Sequence, residues 1–317
     1  MPKVSVVITT YNYGHLIGET LSSVFAQTFD DFEVIVVDDA STDNTREVMA
    51  HYACPRLRCI THSESQRSWP SASRNEAIHA ASGQYIAFID ADDLWLPHKL
   101  ELQIKCFESN PAHGMVYCDV EDFEHPSGRS LGRISDGVYL PAGDILVPLL
   151  ISNCILSPSP VVRCAVFEEV GLWDERIRKC EDWDLWLRIA DRYPVGLVSQ
   201  VLARRRVHTG SQSMREDLYE AYTDALDDVE RAVARNPNRL EKYRGRALAN
   251  VAYATGKKML QRHDYAAAWQ MFRRGIRSYP GSLRLYGGLA LLITDRIFGR
   301  TVSQRLRLGR WGKRIPL

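Results

Sequence analysis

A chain of 317 residues with 45% hydrophobic and 25% charged residues has the composition of a soluble globular protein, long enough for one large domain and a smaller one. Its net charge of +1 argues against a protein that binds nucleic acid or membrane through its whole surface, though local patches can hide within it. The seven cysteines (Cys54, Cys59, Cys106, Cys118, Cys154, Cys164, Cys180) are odd in number and contain no C-x-x-C pair, which points to reduced thiols in a cytosolic protein rather than a disulfide framework or a zinc site.

Residues 4–10 are β-branched almost throughout and predict a buried strand. Asn12-Tyr13-Gly14 turns the chain into a helix with Ile17, Leu21, Val24 and Phe25 at helical spacing. Residues 33–37 predict a second strand, ended by Asp38-Asp39-Ala40-Ser41, and Thr42 or Asp43 can cap the helix toward Tyr52. A short strand at 57–61, a helix at 71–81 and a strand at 85–90 follow, with Pro97 placed to start the next helix. This alternation predicts a parallel sheet with helices on both faces, whose ligands sit beyond the carboxyl ends of the strands.

Beyond residue 120 the regularity weakens. A strand at 115–123, a polar loop at 124–137 and a helix at 145–151 capped by Asp144 are expected, then a strand at 161–162, a helix at 181–192 and an extended segment at 195–207. From Met214 the pattern is helical: Leu218, Tyr222, Leu226 and Val229 space one helix that Pro237 ends, and a helical pair is expected at 247–260 and 265–276. Tyr265, Ala268, Phe272 and Pro280 resemble half of a tetratricopeptide unit, in one copy only, so a helical appendage is read rather than a repeat array. Residues 296–317 carry seven Lys/Arg and no acid, either a solvated basic terminus or a foot on a membrane surface. No signal peptide opens the chain and no apolar stretch reaches the ~18–20 residues of a spanning helix. The expectation is therefore a cytoplasmic protein with peripheral attachment to the inner face of the membrane left open.

The chemistry concentrates where an apolar strand, Tyr85-Ile86-Ala87-Phe88-Ile89, runs into Asp90-Ala91-Asp92-Asp93. Clustered carboxylates at a buried strand end repel one another, and a divalent cation is one way to hold them together; an acidic turn capping the next helix is the other. Asp38 and Asp39 at the end of the second strand can accept from a base N–H or a ribose hydroxyl, and Tyr11 can stack on a base. Neither G-x-G-x-x-G nor G-x-x-x-x-G-K-[ST] is present, which argues against a dinucleotide cofactor and P-loop chemistry.

Taken together, residues 4–12, 36–45, 73–76, 87–95, 181–186 and 206–213 resemble the family 2 glycosyltransferases of GT-A fold, over about residues 3–213. The resemblance implies an α/β, Rossmann-like, mostly parallel sheet with a C-terminal helical extension, a nucleotide-diphospho-sugar donor, Mn²⁺ or Mg²⁺, and inversion at the anomeric carbon. On the donor side it places Thr9, Tyr11, Asn12, Asp39, Arg74 and Asp90. It makes Asp92 the metal ligand of a D-x-D motif, adds His208 as a residue that can reach the metal, and makes Asp182 of Glu181-Asp182-Trp183-Asp184 the catalytic base, with Asp184 its rival. Trp183 and Trp186 can stack on an acceptor sugar or pack in the core. Arg67-Ser68-Trp69-Pro70-Ser71 departs from the family's Gly-containing approach to its A-R-N segment.

The expected organisation is a catalytic domain at 1–213, split into a nucleotide-sugar half (1–120) and an acceptor half (121–213), with helices from 214 to 317. The expected activity is sugar transfer, from a UDP-sugar in preference to dTDP or GDP sugars, to a hydroxyl of a glycan or lipid-linked acceptor in cell-envelope or capsular polysaccharide synthesis. No nucleic-acid partner is expected. The alternatives are a nucleotidyltransferase and a non-catalytic nucleotide-binding adaptor using its helical end.

Overall fold

The computed structural model describes residues 1–208, 210 and 217–298. Most of the 209–213 part of the last motif and the basic tail beyond residue 298 therefore lie outside the described residues. The chain forms two compact units, Met1–Ile145 with Cys154–Met214, and Leu146–Asn153 with Arg215–Leu317.

In the first unit, Val4–Thr10 (β1), Phe32–Asp38 (β2), Leu57–Thr61 (β3) and Tyr85–Asp90 (β4) are strands, separated by helices Ile17–Phe25 (α1), Thr45–Ala50 (α2) and Pro70–Ala80 (α3). β1 pairs in parallel with β2 and β4, and β2 with β3. Strand register places Thr10 beside Asp38 and Thr9 beside Asp90, so three strands end their apolar runs on one edge. The period-2 alternation of strands assigns each face. Val4, Val6, Ile8, Val34, Val36, Ala87 and Ile89 bury against Ile17, Leu21 and Val24 of α1 on one side. Phe88 points to the other, packing edge-on against Trp173 at 5.3 Å and obliquely against Trp186 at 6.2 Å.

The remaining elements are Leu94–Trp95 (β5), Lys99–Ser109 (α4), Met115–Glu124 (β6), Ser130–Arg133 (β7), Val161–Arg163 (β8), Val166–Val170 (α6, counting Leu146–Ile151 as α5), Glu181–Arg192 (α7) and Val195–Val207 (β9). The strand order is β3-β2-β1-β4-β8-β6-β9-β5, with β7 paired to β6. The sheet is mixed: β8 is antiparallel to both β4 and β6, while β6 and β9 run parallel.

Three local expectations are corrected. The polar segment 124–137 is not a loop throughout, because Ser130–Arg133 returns as a hairpin strand on β6; polar side chains suit an edge strand that faces water on both sides. The helix after Pro97 begins at Lys99, with Pro97 in the turn before it. Thr42 does not cap α2; Asp43 accepts from Thr45 N at 3.0 Å instead.

The second unit consists of α5 together with Leu218–Arg235 (α8), Pro237–Gln261 (α9), Tyr265–Ser278 (α10) and Leu283–Phe298 (α11). Asp217 caps α8 through the N–H of Tyr219, Asp264 caps α10 through that of Ala267, and Pro237 sits in the first turn of α9 where its missing N–H is harmless. α9 starts ten residues before the expected 247, since its first turns are polar and carry little apolar periodicity. The Phe272 ring sits so tightly that a Cβ at Gly256 or Gly288 would lie 2.7 or 2.8 Å from it. Asn250 also ties α9 to α5, donating to Ile151 O at 2.8 Å.

The acidic turn after β4 is fixed to α1 by one buried hydroxyl: Thr20 Oγ1 lies 2.9 Å from the carbonyls of both Ala91 and Asp93. Thr20→Val keeps the shape and leaves those carbonyls without their donor. It is expected to cost about 1–3 kcal/mol in urea unfolding, and a loss near zero would show that the turn holds itself.

Candidate active site

The site is assembled on the carboxyl edge of β1, β2 and β4. Asp90 ends β4, and its partly exposed carboxylate accepts from Arg74 Nη2 at 3.1 Å. The same guanidinium donates through Nη1 to Glu181 at 2.8 Å and lies 4.6 Å above the Trp173 ring. Arg74 is buried, and although burial disfavours its charge, Asp90 and Glu181 hold its pKa above the ordinary arginine value. α3 thus links the strand end to the first turn of α7.

Asn75, the next residue of α3, does the same for the loop before α7. Its Nδ2 donates to Trp173 O and its Oδ1 accepts from Trp173 N, both at 3.0 Å, while Nδ2 also reaches Glu175. Cys180 enters α7 in the left-handed region, with φ of 59°. Such backbone is costly for a residue with a Cβ and persists where its surroundings fix it.

The two candidate bases part company here. Asp184 is buried and bound to Arg188 Nε at 2.8 Å. Arg188 in turn donates to the carbonyls of Val170, Gly171 and Leu172, so this pair ties α7 to the end of α6. Asp182 is partly exposed. Enclosure by protein, then the Glu181 and Asp90 carboxylates, push its carboxyl up to about 7, against the opposing pull of Arg74 and the Trp183 N–H. Trp183 and Trp186 are both buried, Trp186 completely and 5.4 Å from Trp173, so neither presents a face to an acceptor.

Within the acidic turn the three carboxylates differ. Asp92 faces His208, with Oδ2 to Nε2 at 3.0 Å. Asp93 is buried and accepts from Arg206 N at 2.8 Å, ordering the approach of β9 to the turn. The Arg206 guanidinium extends this brace, donating to Asp92 O and to Glu19. Among the described residues no group of three or more His, Cys, Asp or Glu is arranged as a metal cage. The Asp92–His208 pair offers one oxygen and one nitrogen, a donor set that suits a cation completing its shell with water and phosphate oxygens.

On the β2 side, Asp39 is positioned by neighbours that its sequence context does not advertise. His62, just past β3, hydrogen-bonds Asp39 Oδ1 through Nδ1 at 2.9 Å and Glu76 through Nε2 at 2.6 Å. A carboxylate facing each nitrogen favours the doubly protonated, charged ring. Burial lowers the His62 pKa, but these two acids outweigh it and raise it overall. The Ser68 N–H and hydroxyl also bind Asp39 Oδ1, at 2.8 and 3.3 Å. All these bonds fall on one oxygen. Thr9 lies on the same edge, level with Asp90. The Tyr11 ring is covered on one face by the Arg67 guanidinium at 3.8 Å, so the 67–71 segment begins beside the end of β1. Asn12, at φ 57°, spends its side chain on the turn, accepting from the N–H of Thr42 and Asp43.

Sequence reasoning therefore brought Thr9, Asp39, Arg74, Asp90, Asp92, Asp182 and His208 to this region, and missed His62, Glu76 and Asn75 as their supports. His62 had one signal, its place at a strand's carboxyl end; the pairings of Asn75 had none.

An open α/β sheet with polar groups gathered beyond the carboxyl ends of its strands is a frame on which such folds bind nucleotides. The family described as Glycosyl transferase family 2 matches residues 5–148. The uncharacterized glycosyltransferase MJ1057 of Methanocaldococcus jannaschii is 30% identical over 229 residues, 70% of this chain and 78% of the relative. The chain belongs to the family 2 glycosyltransferases. WfgD of Escherichia coli, a UDP-Glc:α-D-GlcNAc-diphosphoundecaprenol β-1,3-glucosyltransferase, is 38% identical over 107 residues, 34% of this chain and 42% of the relative. In three Rickettsia relatives the match spans only 34%, 42% and 29% of the relative's length. Among solved structures, TarS residues 1–349 of S. aureus in complex with UDP-GlcNAc aligns with TM-score 0.64 at 19% identity, covering 98% of this chain and 93% of that one. The mannosyltransferase PcManGT from Pyrobaculum calidifontis, in complex with GDP-Man and Mn²⁺, aligns with TM-score 0.65 at 20% identity, covering 97% and 83%. The fold is GT-A.

The imidazolium of His62 sets a pH dependence. A histidine whose folded pKa is raised contributes stability that is complete below the unfolded pKa and is lost as pH rises through the folded one. His62→Gln is expected to cost roughly 1–3 kcal/mol near pH ~5.5 and less near pH ~9. Urea unfolding at both pH values checks this, and an equal cost at both would refute the charged bridge.

Proposed function

We propose that the protein is an inverting, metal-dependent glycosyltransferase that moves a sugar from a nucleoside-diphospho-sugar to a hydroxyl of a glycan or lipid-linked acceptor. The observation that carries this reading is the placement of Asp182, with its carboxyl pushed up to about 7, beside an arginine that also binds Asp90 of the strand-end acidic turn. A base poised near neutral pH and tied to the donor edge is what direct displacement needs.

In this reading the acceptor hydroxyl approaches the anomeric carbon from the face opposite the leaving group. Asp182 takes its proton as the new C–O bond forms and the bond to the nucleoside diphosphate breaks. Arg74 holds Asp90 toward the donor and restrains Glu181, which keeps α7 in register with β4. Asp39, fixed through Oδ1 by His62 and Ser68, keeps Oδ2 for the N–H of the base. Tyr11, backed by Arg67, offers its other face for stacking. Asp92 and His208 would hold Mn²⁺ or Mg²⁺, which supplies neutralisation of the charge that develops on the departing diphosphate.

UDP is the favoured nucleotide, because Tyr11 and Asp39 resemble the family's uracil contacts; TarS was solved with UDP-GlcNAc and WfgD is named for UDP-Glc, whereas PcManGT was solved with GDP-Man. The diphosphoundecaprenol acceptor named for WfgD supports a lipid-linked glycan of the cell envelope as the acceptor class.

Asp182→Asn is expected to lower kcat by about 10²–10⁴-fold with donor affinity near that of wild type. Because the base must be ionised to act, kcat/KM of the wild type is expected to rise with pH through about 7, and the variant to lose that limb. Retained turnover in the variant would remove Asp182 as the base. Asp92→Ala is expected to abolish the Mn²⁺ dependence of donor binding in calorimetry, and wild-type activity that survives excess chelator would remove the metal.

A further inference from the structure

The charge of the chain is sharply divided. Residues 265–317 hold eleven Lys/Arg and a single acid, Asp295, a net charge of +10; since the whole chain is +1, residues 1–264 carry −9. Asp295 is buried. On α10, Trp269, Arg273 and Arg277 recur at helical spacing and all are exposed. On α11, Leu283, Tyr286, Ala290 and Ile293 recur in the same way; Leu283 is 73% exposed, Tyr286 47% and Ile293 45%. Tyr279 between the helices is 41% exposed. The two helices pack on each other through buried Leu285, whose side chain would lie 2.7 Å from a Cβ at Gly275.

We propose that the outward surface of α10 and α11 docks on an anionic lipid bilayer. Apolar and aromatic side chains in a helical stripe, flanked by the exposed Arg273, Arg277 and Arg284, match the two layers of such a surface. Leu283 and Ile293 enter the acyl boundary, Trp269, Tyr279 and Tyr286 lie at the headgroup level, and the arginines meet the phosphates. A nucleic acid would satisfy the arginines and leave Leu283 and Ile293 in water. A second copy would bring two strongly positive faces together, which repel. The inference does not rest on the proposed transfer reaction, and it is tested without donor or acceptor.

The full chain is floated with vesicles of phosphatidylcholine alone or mixed with phosphatidylglycerol. Binding to the mixed vesicles is expected to exceed binding to phosphatidylcholine by at least about tenfold and to fall as salt rises from about 0.1 to about 1 M. The surface variants L283Q/Y286S/I293Q and R273E/R277E/R284E, each checked for an unchanged melting curve, are both expected to lose most of the binding. As a second reading, brominated lipid is expected to quench wild-type tryptophan fluorescence, and Trp269→Phe to reduce that quenching. No preference for the anionic vesicles overturns the proposal. So does full binding by the apolar-stripe variant beside loss in the arginine variant, which marks a site for soluble polyanions. A dimer in light scattering that the apolar-stripe variant dissolves would assign the face to self-association and equally overturn it.

Discussion

A buried guanidinium needs its countercharges in place, and Arg74 takes them from two different elements, Asp90 at the end of β4 and Glu181 at the start of α7. Losing either partner leaves a buried charge without full compensation, a loss that reaches several kcal/mol in comparable cases of about 3–5 kcal/mol. Burial does most to raise the Asp182 carboxyl, and the same triad adjusts it. Glu181 and Asp90 push the Asp182 proton on, while Arg74 pulls it off. Position and protonation of the proposed base therefore answer to one constraint rather than two.

β1, β2, β4 and α1 were legible because each is a largely apolar run or an amphipathic period, and parallel strands buried on both faces advertise themselves in that way. The second half of the sheet was less so. β7 is polar and carries no periodicity that separates it from loop, while β8 was read, as the short strand at 161–162, one residue short of its full length. The helix expected at 145–151 is present as Leu146–Ile151, yet the membership of 146–153 in the helical unit depends on contacts such as Asn250 to Ile151 that are remote in sequence. Among the site residues, carboxylates at strand ends declared themselves by spacing. The division between Asp182 and Asp184 did not, since it turns on Arg188 reaching Asp184 one helical turn away while also gripping the end of α6.

Family membership and the local chemistry speak to different questions. The family fixes the fold and frames the chemistry of the sheet edge. Around that edge lie the His62 bridge between Asp39 and Glu76 and Arg67 laid over Tyr11. Both come from the stretch after β3, and Arg67 opens the 67–71 segment read as departing from the family's approach to its arginine.

The pairing of Asn75 with both backbone groups of Trp173 imitates one rung of a β-ladder with a side chain in place of a strand. It pins the loop at one end, and Arg74, its neighbour on α3, pins the other end through Glu181. Between these two posts run residues 176–180, with Ile177 buried and Cys180 in the left-handed region. A substrate that reshapes this loop would do so by turning those few residues about two fixed posts, with the proposed base carried on the far post and its distance from β4 preserved.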